Sequence, residues 1–382
     1  MNVVLLLLAG VAWLIVKRRI ARKSAKILAV LAAYLGLSAV IALLGSCHDH
    51  LQKALLSLPL LVVLVLIGLE VGRRATTGEW LSLQRTACWV LLAEFFGLVA
   101  EMLVPSLFPN QAGYRLEGKL SGLFHEPSHV AFSLFPCIAV LLVAESKRMR
   151  RYGVLGLVGL LILSRSSTLI ILLIAWLVYR FVAQRNLGKA ALLLLSFASI
   201  LGLGAAVDFN RFVLPTMQRV TGVAASSETE NISSLVYVQG WQDALYNVNQ
   251  SHGLGLGINM MGCGVLPAVP ARLALQVLVP VELNAEDGSF LFAKVLSETG
   301  AVGVIFYILA IWRWLKFERA ISRRIRDATR LAMSIQAAIM FCFVILSFVR
   351  GAGYFSGTLL LWVCTAGVNL EKERIVAPDP TL

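Results

Sequence analysis

Long apolar runs alternate with polar connections along most of this chain. The runs fall at residues 2–16, 27–45, 54–72, 86–104, 128–144, 153–164, 167–183, 190–207, 289–312, 331–349 and 357–370. Most are close to the roughly 20 apolar residues that a helix needs to cross a bilayer. The positions of Lys and Arg orient them. Basic clusters at 17–26, 73–85, 147–151, 180–189, 313–330 and 372–374 alternate with basic-poor segments at 46–53, 105–127, 208–288 and 350–356. Basic connections stay on the cytoplasmic side. The pattern therefore predicts an all-α, polytopic membrane protein of about eleven spans, with its N-terminus outside and its C-terminus in the cytoplasm. Residues 153–183 could form one helix or two, and parity decides. One helix would put the Arg-rich 313–330 segment outside, so the run is split at Ser164-Arg165-Ser166-Ser167, with Arg165 on the outer face.

Residues 1–382 then form a single transmembrane domain with two sizeable outer-face loops, 105–127 and 208–288. Ile232, Leu235, Val236, Trp241, Leu245 and Val248 recur near helical spacing, which predicts an amphipathic helix on the membrane surface within the longer loop. The first run precedes its basic cluster, the reverse of a secretory signal, and reads as an uncleaved helix.

Composition narrows the class further. The chain is 58% hydrophobic and 14% charged, which excludes an ordinary soluble domain. Its net charge of +13 would suggest nucleic acid in a soluble protein, but the cations follow the membrane pattern and no nucleic-acid partner is expected. The six cysteines, at 47, 88, 137, 263, 342 and 364, show neither metal spacing nor a disulfide framework. Cys47 and Cys263 could face the same outer side and pair.

Candidate chemistry concentrates at residues 113–129, a polar island holding Arg115, His125, Glu126 and His129 beside an apolar span. Ionisable groups there are costly and mark functional sites. Pro127 suits a first helical position, and Glu126 before it could simply complement the helix dipole. That does not account for Arg115 and His125. A carboxylate near an imidazole and a guanidinium can abstract a proton beside an anionic ligand. His125-Glu126-Pro127-Ser128-His129 also matches the H-E-x-x-H zinc pattern. Zinc binding needs both His on one continuous helix, and Pro127 starts a helix between them. An intramembrane zinc protease is therefore a minor reading, with no convincing third ligand, although Asp287 could serve.

Other polar positions carry two readings each. Arg165, among Ser164, Ser166, Ser167 and Thr168, is either a snorkelling cation or a phosphate clamp. Arg211 and Arg219 are weaker candidates for that clamp. Gly253, Gly255 and Gly257, after His252, predict a tight turn that brings backbone close to another element. Asp287 and Ser289 read as caps of the ninth span, and Lys294 and Glu298 within it as a structural pair. Glu94 in the fourth span needs a partner that the sequence does not name.

Four features in order resemble the bacterial O-antigen polymerase and ligase superfamily. An outer-face Arg115 precedes Gly122-Leu123-Phe124-His125-Glu126-Pro127. Ser164-Arg165-Ser166 breaks two short spans. Trp241 on a helix leads to Gly255-Leu256-Gly257. Ser289-Phe290-Leu291 runs to Glu298-Thr299-Gly300-Ala301-Val302-Gly303. The resemblance covers residues 86–310. Tyr237 and Val238 stand where the third motif often carries Arg, and Asp287-Gly288-Ser289 replaces the His-Asn of ligases, which favours a polymerase.

The resemblance implies a GT-C-like, metal-independent glycosyltransferase without a cofactor. It would polymerise undecaprenyl-diphosphate-linked oligosaccharide repeats into a surface polysaccharide, acting on the outer face of the bacterial inner membrane. A flippase and a chain-length regulator would be partners beside the bilayer. Arg115 and Arg165, supported by Arg211, would hold the diphosphate. Glu126, ahead of His125 and Asp287, would be the base. Trp241 and Tyr237 would stack on sugars, with His252 a further sugar contact. The superfamily also includes ligases that act on a lipid or protein acceptor. Cations and carboxylates in a membrane also fit a transporter of lipid-linked sugars.

Overall fold

Apolar periodicity becomes helix throughout the computed structural model, which describes residues 22–44, 50–109, 119–124, 126–184, 232–263, 266–279, 282–321, 327–349 and 353–368. No strand occurs among these residues. In chain order the helices are α1 (Arg22–Leu44), α2 (Leu51–Arg74), α3 (Thr77–Leu103), α4 (Pro127–Leu142), α5 (Lys147–Ser164) and α6 (Ser167–Gln184). They continue with α7 (Ile232–Gln250), α8 (Pro270–Leu278), α9 (Leu291–Thr299), α10 (Ala301–Ile321), α11 (Asp327–Val349) and α12 (Gly357–Gly367). Within α1, α2, α3 and α11, four stretches are long and apolar enough to cross a membrane: Ala25–Leu43, Leu51–Arg74, Thr77–Leu103 and Thr329–Val349. α4, α12 and the Ser167–Phe181 part of α6 are shorter apolar helices. The expected spans at 2–16 and 190–207 lie outside the described residues.

Local chemistry sets several helix ends. Thr76 and Glu79 form a reciprocal capping box at the start of α3, with Thr76 N donating to Glu79 Oε2 at 2.6 Å. Pro127 occupies the first turn of α4, where its missing N–H costs nothing. Ser356 caps α12 by accepting from Leu359 N at 3.2 Å. The last carbonyls of α12 are met by Arg313, which donates to Thr365 O and Val368 O at 3.0 and 2.9 Å.

The chain folds into two compact units. One is drawn from Met1–Ala75, Arg219–Arg313 and Ser347–Pro378. Here α1 and α12 pack on α2, and α7 packs on α8 and α9. The other takes in the described residues of Thr76–Gln218 and Trp314–Leu346. In it α3 packs on α4 and α5, and α4 packs on α5 and α6. Its core is the inner face of α4, where Val130, Ala131, Phe135, Ile138 and Leu141 are fully enclosed, together with Leu169 and Leu172 of α6. Phe135 meets Trp176 edge to face.

Two sequence expectations need correction. The run 289–312 is not one helix, because Gly300 at φ 56° separates α9 from α10. Asp287 and Ser289 do not cap it either. The cap position is Phe290, and the Ser289 hydroxyl instead donates to Val236 O of α7 at 2.6 Å. That bond pulls the approach to α9 onto the preceding helix. The break expected at 164–167 is found, since α5 ends at Ser164 and α6 begins at Ser167.

Candidate functional site

In the unit built on α4, the polar island is held by the helix before it. Glu94 and Glu101 lie seven residues apart on α3, hence on one face, and both are buried. Glu101 Oε2 accepts from Ser121 N and Gly122 N at 2.8 and 2.7 Å, and Glu94 Oε2 accepts from Leu123 N at 3.2 Å. Two carboxylates thus pair three consecutive backbone donors, of which those of Ser121 and Gly122 are buried and would otherwise be orphaned. Gly122 sits at φ 56°, and a Cβ there would overlap Glu94 Oε1, so this turn requires glycine. Glu101→Ala strands two buried N–H groups, each costing about 1–3 kcal/mol. The expected result is a clear drop in thermal unfolding temperature, with Glu101→Gln falling less because its amide oxygen still accepts.

The turn leads directly to Glu126, which precedes α4 in extended conformation at φ −137° and ψ 150°. Its side chain makes no capping bond to the helix. Instead Glu126 Oε2 accepts from Ser128 Oγ at 2.8 Å. The H-E-x-x-H reading loses its geometry here, because α4 starts at Pro127 and Glu126 lies outside it.

α4 and α5 form a hairpin, so the start of α4 and the end of α5 share one end of the unit. Leu120 N donates to Leu163 O at 3.1 Å, which ties the island to the last turn of α5. Arg165 follows at φ 45° and ψ 37°, a left-handed conformation that costs a non-glycine residue about 1 kcal/mol or more. It is half-buried, between the enclosed Ser164 and the buried Ser166, Ser167 and Thr168. Among the described residues Arg165 enters no ion pair. Glu126 and Arg165 therefore stand on two elements joined to the same island. Arg115, His125 and Arg211 lie outside the described residues.

The other unit holds the remaining candidates around α7, which realises the helix expected at 232–248. Leu235 of α7 is buried, whereas Ile232, Leu245 and Tyr246 are exposed. Tyr237 stacks on Phe290 at 4.6 Å between centroids, and Trp241 tilts against Phe290 and Phe292. Both candidate stacking residues thus spend part of their ring surface on protein, although each stays partly exposed.

His252, at φ 50°, opens the Gly-rich turn. Leu256 N and Gly257 N donate to Ser297 O and Glu298 O at 3.0 and 2.9 Å, which satisfies carbonyls at the end of α9. A Cβ on Gly300 would overlap Gly253 O, so the close approach expected of this turn is real.

Charges in this unit are mostly absorbed by structure. Lys294 is buried, lies 3.7 Å from Glu298 and 3.8 Å from Asp287, and donates to Glu286 O at 2.6 Å. Glu298 also accepts from Asn259 N, Met261 N and Tyr354 Oη at 2.7, 3.2 and 2.5 Å. Arg272 of α8 binds Asp243 of α7 at 2.6 Å and Glu282 at 2.5 Å. Burial pushes the Asp243 carboxyl up to about 6, against the opposing pull of Arg272. Cys263 is disulfide-bonded, whereas Cys88, Cys137, Cys342 and Cys364 are free; Cys47 lies outside the described residues.

Glu286 binds Lys53 at 2.6 Å, and this hydrogen bond holds its carboxyl below the usual carboxylate range. A depressed carboxylate stabilises the fold above its unfolded pKa and loses that contribution as pH falls through its folded pKa. Hydrogen exchange in residues 284–288 should therefore rise below about pH 4, beyond its intrinsic pH dependence. Glu286→Gln should remove the effect.

Sequence reasoning missed the α3 carboxylate cradle and the Asp243–Arg272–Glu282 cluster. The seven-residue spacing of Glu94 and Glu101 within an apolar helix was the available signal for the first. The second joins residues 29 apart across a loop and has no local signature. Comparison of the chain with protein-family models, characterised proteins and solved structures finds no match.

Proposed function

We propose that this protein is a membrane glycosyltransferase that polymerises undecaprenyl-diphosphate-linked oligosaccharide repeat units into a surface polysaccharide. In this reading it is a GT-C-like protein of about eleven spans, acting on the outer face of a bacterial inner membrane. The observation that carries the reading is one end of the α4–α5 hairpin. There a carboxylate not engaged in capping, Glu126, and a strained cation without an ion pair among the described residues, Arg165, flank an island pinned by Glu94 and Glu101. Backbone strain at a polar break in apolar surroundings is the kind of outlier that accompanies function.

The chemistry asks little more. The acceptor hydroxyl attacks the anomeric carbon of the donor sugar and the bond to the diphosphate breaks. Glu126 takes the hydroxyl proton, and Arg165 meets the charge that develops on the departing diphosphate, where a fixed cation acts most strongly. The donor carries its own leaving group, so the step needs no nucleotide sugar. Arg115 and Arg211 would add to the cationic side, and His125 or Asp287 would be the base if Glu126 is not. Tyr237, Trp241 and His252 would contact sugars through the faces that packing leaves them. A disulfide at Cys263 supports an oxidising compartment for that loop, in keeping with an outer-face site.

Purified protein in lipid, given synthetic undecaprenyl-diphosphate repeat units and no nucleotide sugar, tests the reading. A ladder of multimers is expected. Transfer of glycan to an added lipid or protein acceptor without a ladder would turn the assignment to a ligase. Neither product from the native repeat unit would overturn both.

A further inference from the structure

The end of the α4–α5 hairpin remote from Glu126 and Arg165 has chemistry of its own. The 18 residues of α5 span about 27 Å, so its first turn stands far from Arg165. Lys147, Arg150 and Arg151 line an open pocket of about 530 Å³ there, together with Val154 and Leu155. None of the three cations enters an ion pair among the described residues, not even with Glu145, two residues before the cluster.

Several other cations are paired. Arg73 and Arg74 pair with Glu70, Arg272 with Asp243 and Glu282, and Lys294 with Asp287 and Glu298. Arg148, beside the pocket, donates to Tyr152 Oη at 2.7 Å. The three pocket cations also sit where positive charge is least favoured. They crowd a helix start that has no acid in its first turn and no side-chain cap from Ser146. An anion in the pocket relieves both the mutual repulsion and the clash with the helix dipole.

The pocket wall says which kind of anion. Val154 and Leu155 follow Arg150 and Arg151 by four residues, so each lies one turn further along the same face. They are 48% and 66% exposed. Cations at the rim and open aliphatic surface one turn deeper match a phosphate headgroup carrying acyl chains. We propose that this pocket binds the headgroup of an anionic phospholipid, with its chains along Val154 and Leu155. By the charge pattern of the chain it faces the cytoplasmic leaflet.

The test uses the full-length protein in detergent, titrated with phosphatidylglycerol or phosphatidylcholine and read by native mass spectrometry. Wild type should retain phosphatidylglycerol, and the triple variant Lys147→Gln, Arg150→Gln, Arg151→Gln should bind it at least tenfold more weakly. Phosphatidylcholine binding should not change. The triple variant Lys26→Gln, Arg85→Gln, Arg319→Gln removes the same charge elsewhere and should bind like wild type. If the pocket triple variant does not fold, Arg150→Gln and Arg151→Gln should each weaken binding at least threefold, and Arg150→Lys with Arg151→Lys should keep it. Equal loss in the control variant, or equal retention of phosphatidylcholine by wild type, overturns the proposal. Displacement of the lipid by equimolar inorganic phosphate also overturns it, because the site would then read the anion without the chains.

Discussion

Glu126→Gln should reduce multimer formation by about 10²–10⁴-fold while leaving the protein folded. The substitution is nearly isosteric and removes the negative charge and the ability to accept a proton. As a helix cap Glu126 contributes little, because its side chain makes no bond to a backbone N–H of α4. Its oxygen instead accepts from Ser128, a contact that an amide oxygen can also make. Thermal unfolding checks that the variant is folded, and Glu126→Asp should retain measurable activity. The assay is the ladder from lipid-linked repeat units, compared at equal amounts of folded protein. A Glu126→Gln protein that polymerises normally removes Glu126 as the base and passes the role to His125 or Asp287.

Arg272→Met should produce the largest loss of stability, about 3–5 kcal/mol, because it leaves a buried carboxylate without its cation. Arg272 and Asp243 are each about 3% exposed as side chains and lie 2.6 Å apart, so solvent screens the pair little. Glu282 is more open, and its loss of the same partner adds less. Gln239, with its amide oxygen turned toward Arg272, accepts from both guanidinium Nη atoms at 3.3 and 3.0 Å, so the loss extends to a neutral neighbour.

The sign of the pH effect follows from Asp243. Its folded pKa lies above its ordinary value, so this group favours the fold most at low pH. That contribution is lost as pH rises through about 6. Without Arg272 the carboxyl is pushed further up. The destabilisation should be greatest near pH 8 and should shrink toward pH 5, where a protonated Asp243 needs no cation. Thermal unfolding across this range checks it, with hydrogen exchange localising the change to α7 and α8. A loss independent of pH would assign the role of Arg272 to packing alone. The combined change Arg272→Met, Asp243→Leu and Glu282→Gln should recover most of the loss, since it removes the charges together.

The long apolar helices were legible because their signal is local. An apolar run at 54–72 becomes α2 whatever surrounds it, since its backbone satisfies its own hydrogen bonds in lipid. The split at 164–167 was legible for a different reason. Charge parity along the whole chain required it, although nothing within 153–183 itself did. The break at Gly300 escaped, because one glycine in an apolar run is tolerated by many helices. The tertiary structure shows it, with Gly300 at φ 56° packed against Gly253 of the turn that docks on the end of α9.

Candidate chemistry divides in the same way. Residue type and spacing were enough to establish an all-helical chain with apolar helices long enough for a membrane. They also singled out an island of ionisable residues around Glu126 and a polar break around Arg165. Some pairs, such as Lys294 with Glu298 four residues on, were legible from spacing, but the long-range partners came from the packed helices. Packing gave Glu94 and Glu101 to the backbone of residues 121–123 and bound Arg272 between Asp243 and Glu282. It left Lys147, Arg150 and Arg151 without ion pairs among the described residues. The difference is one of range. Hydrophobic periodicity acts between residues within two turns, whereas a buried charge is settled by whichever distant group the packed helices bring within about 3 Å.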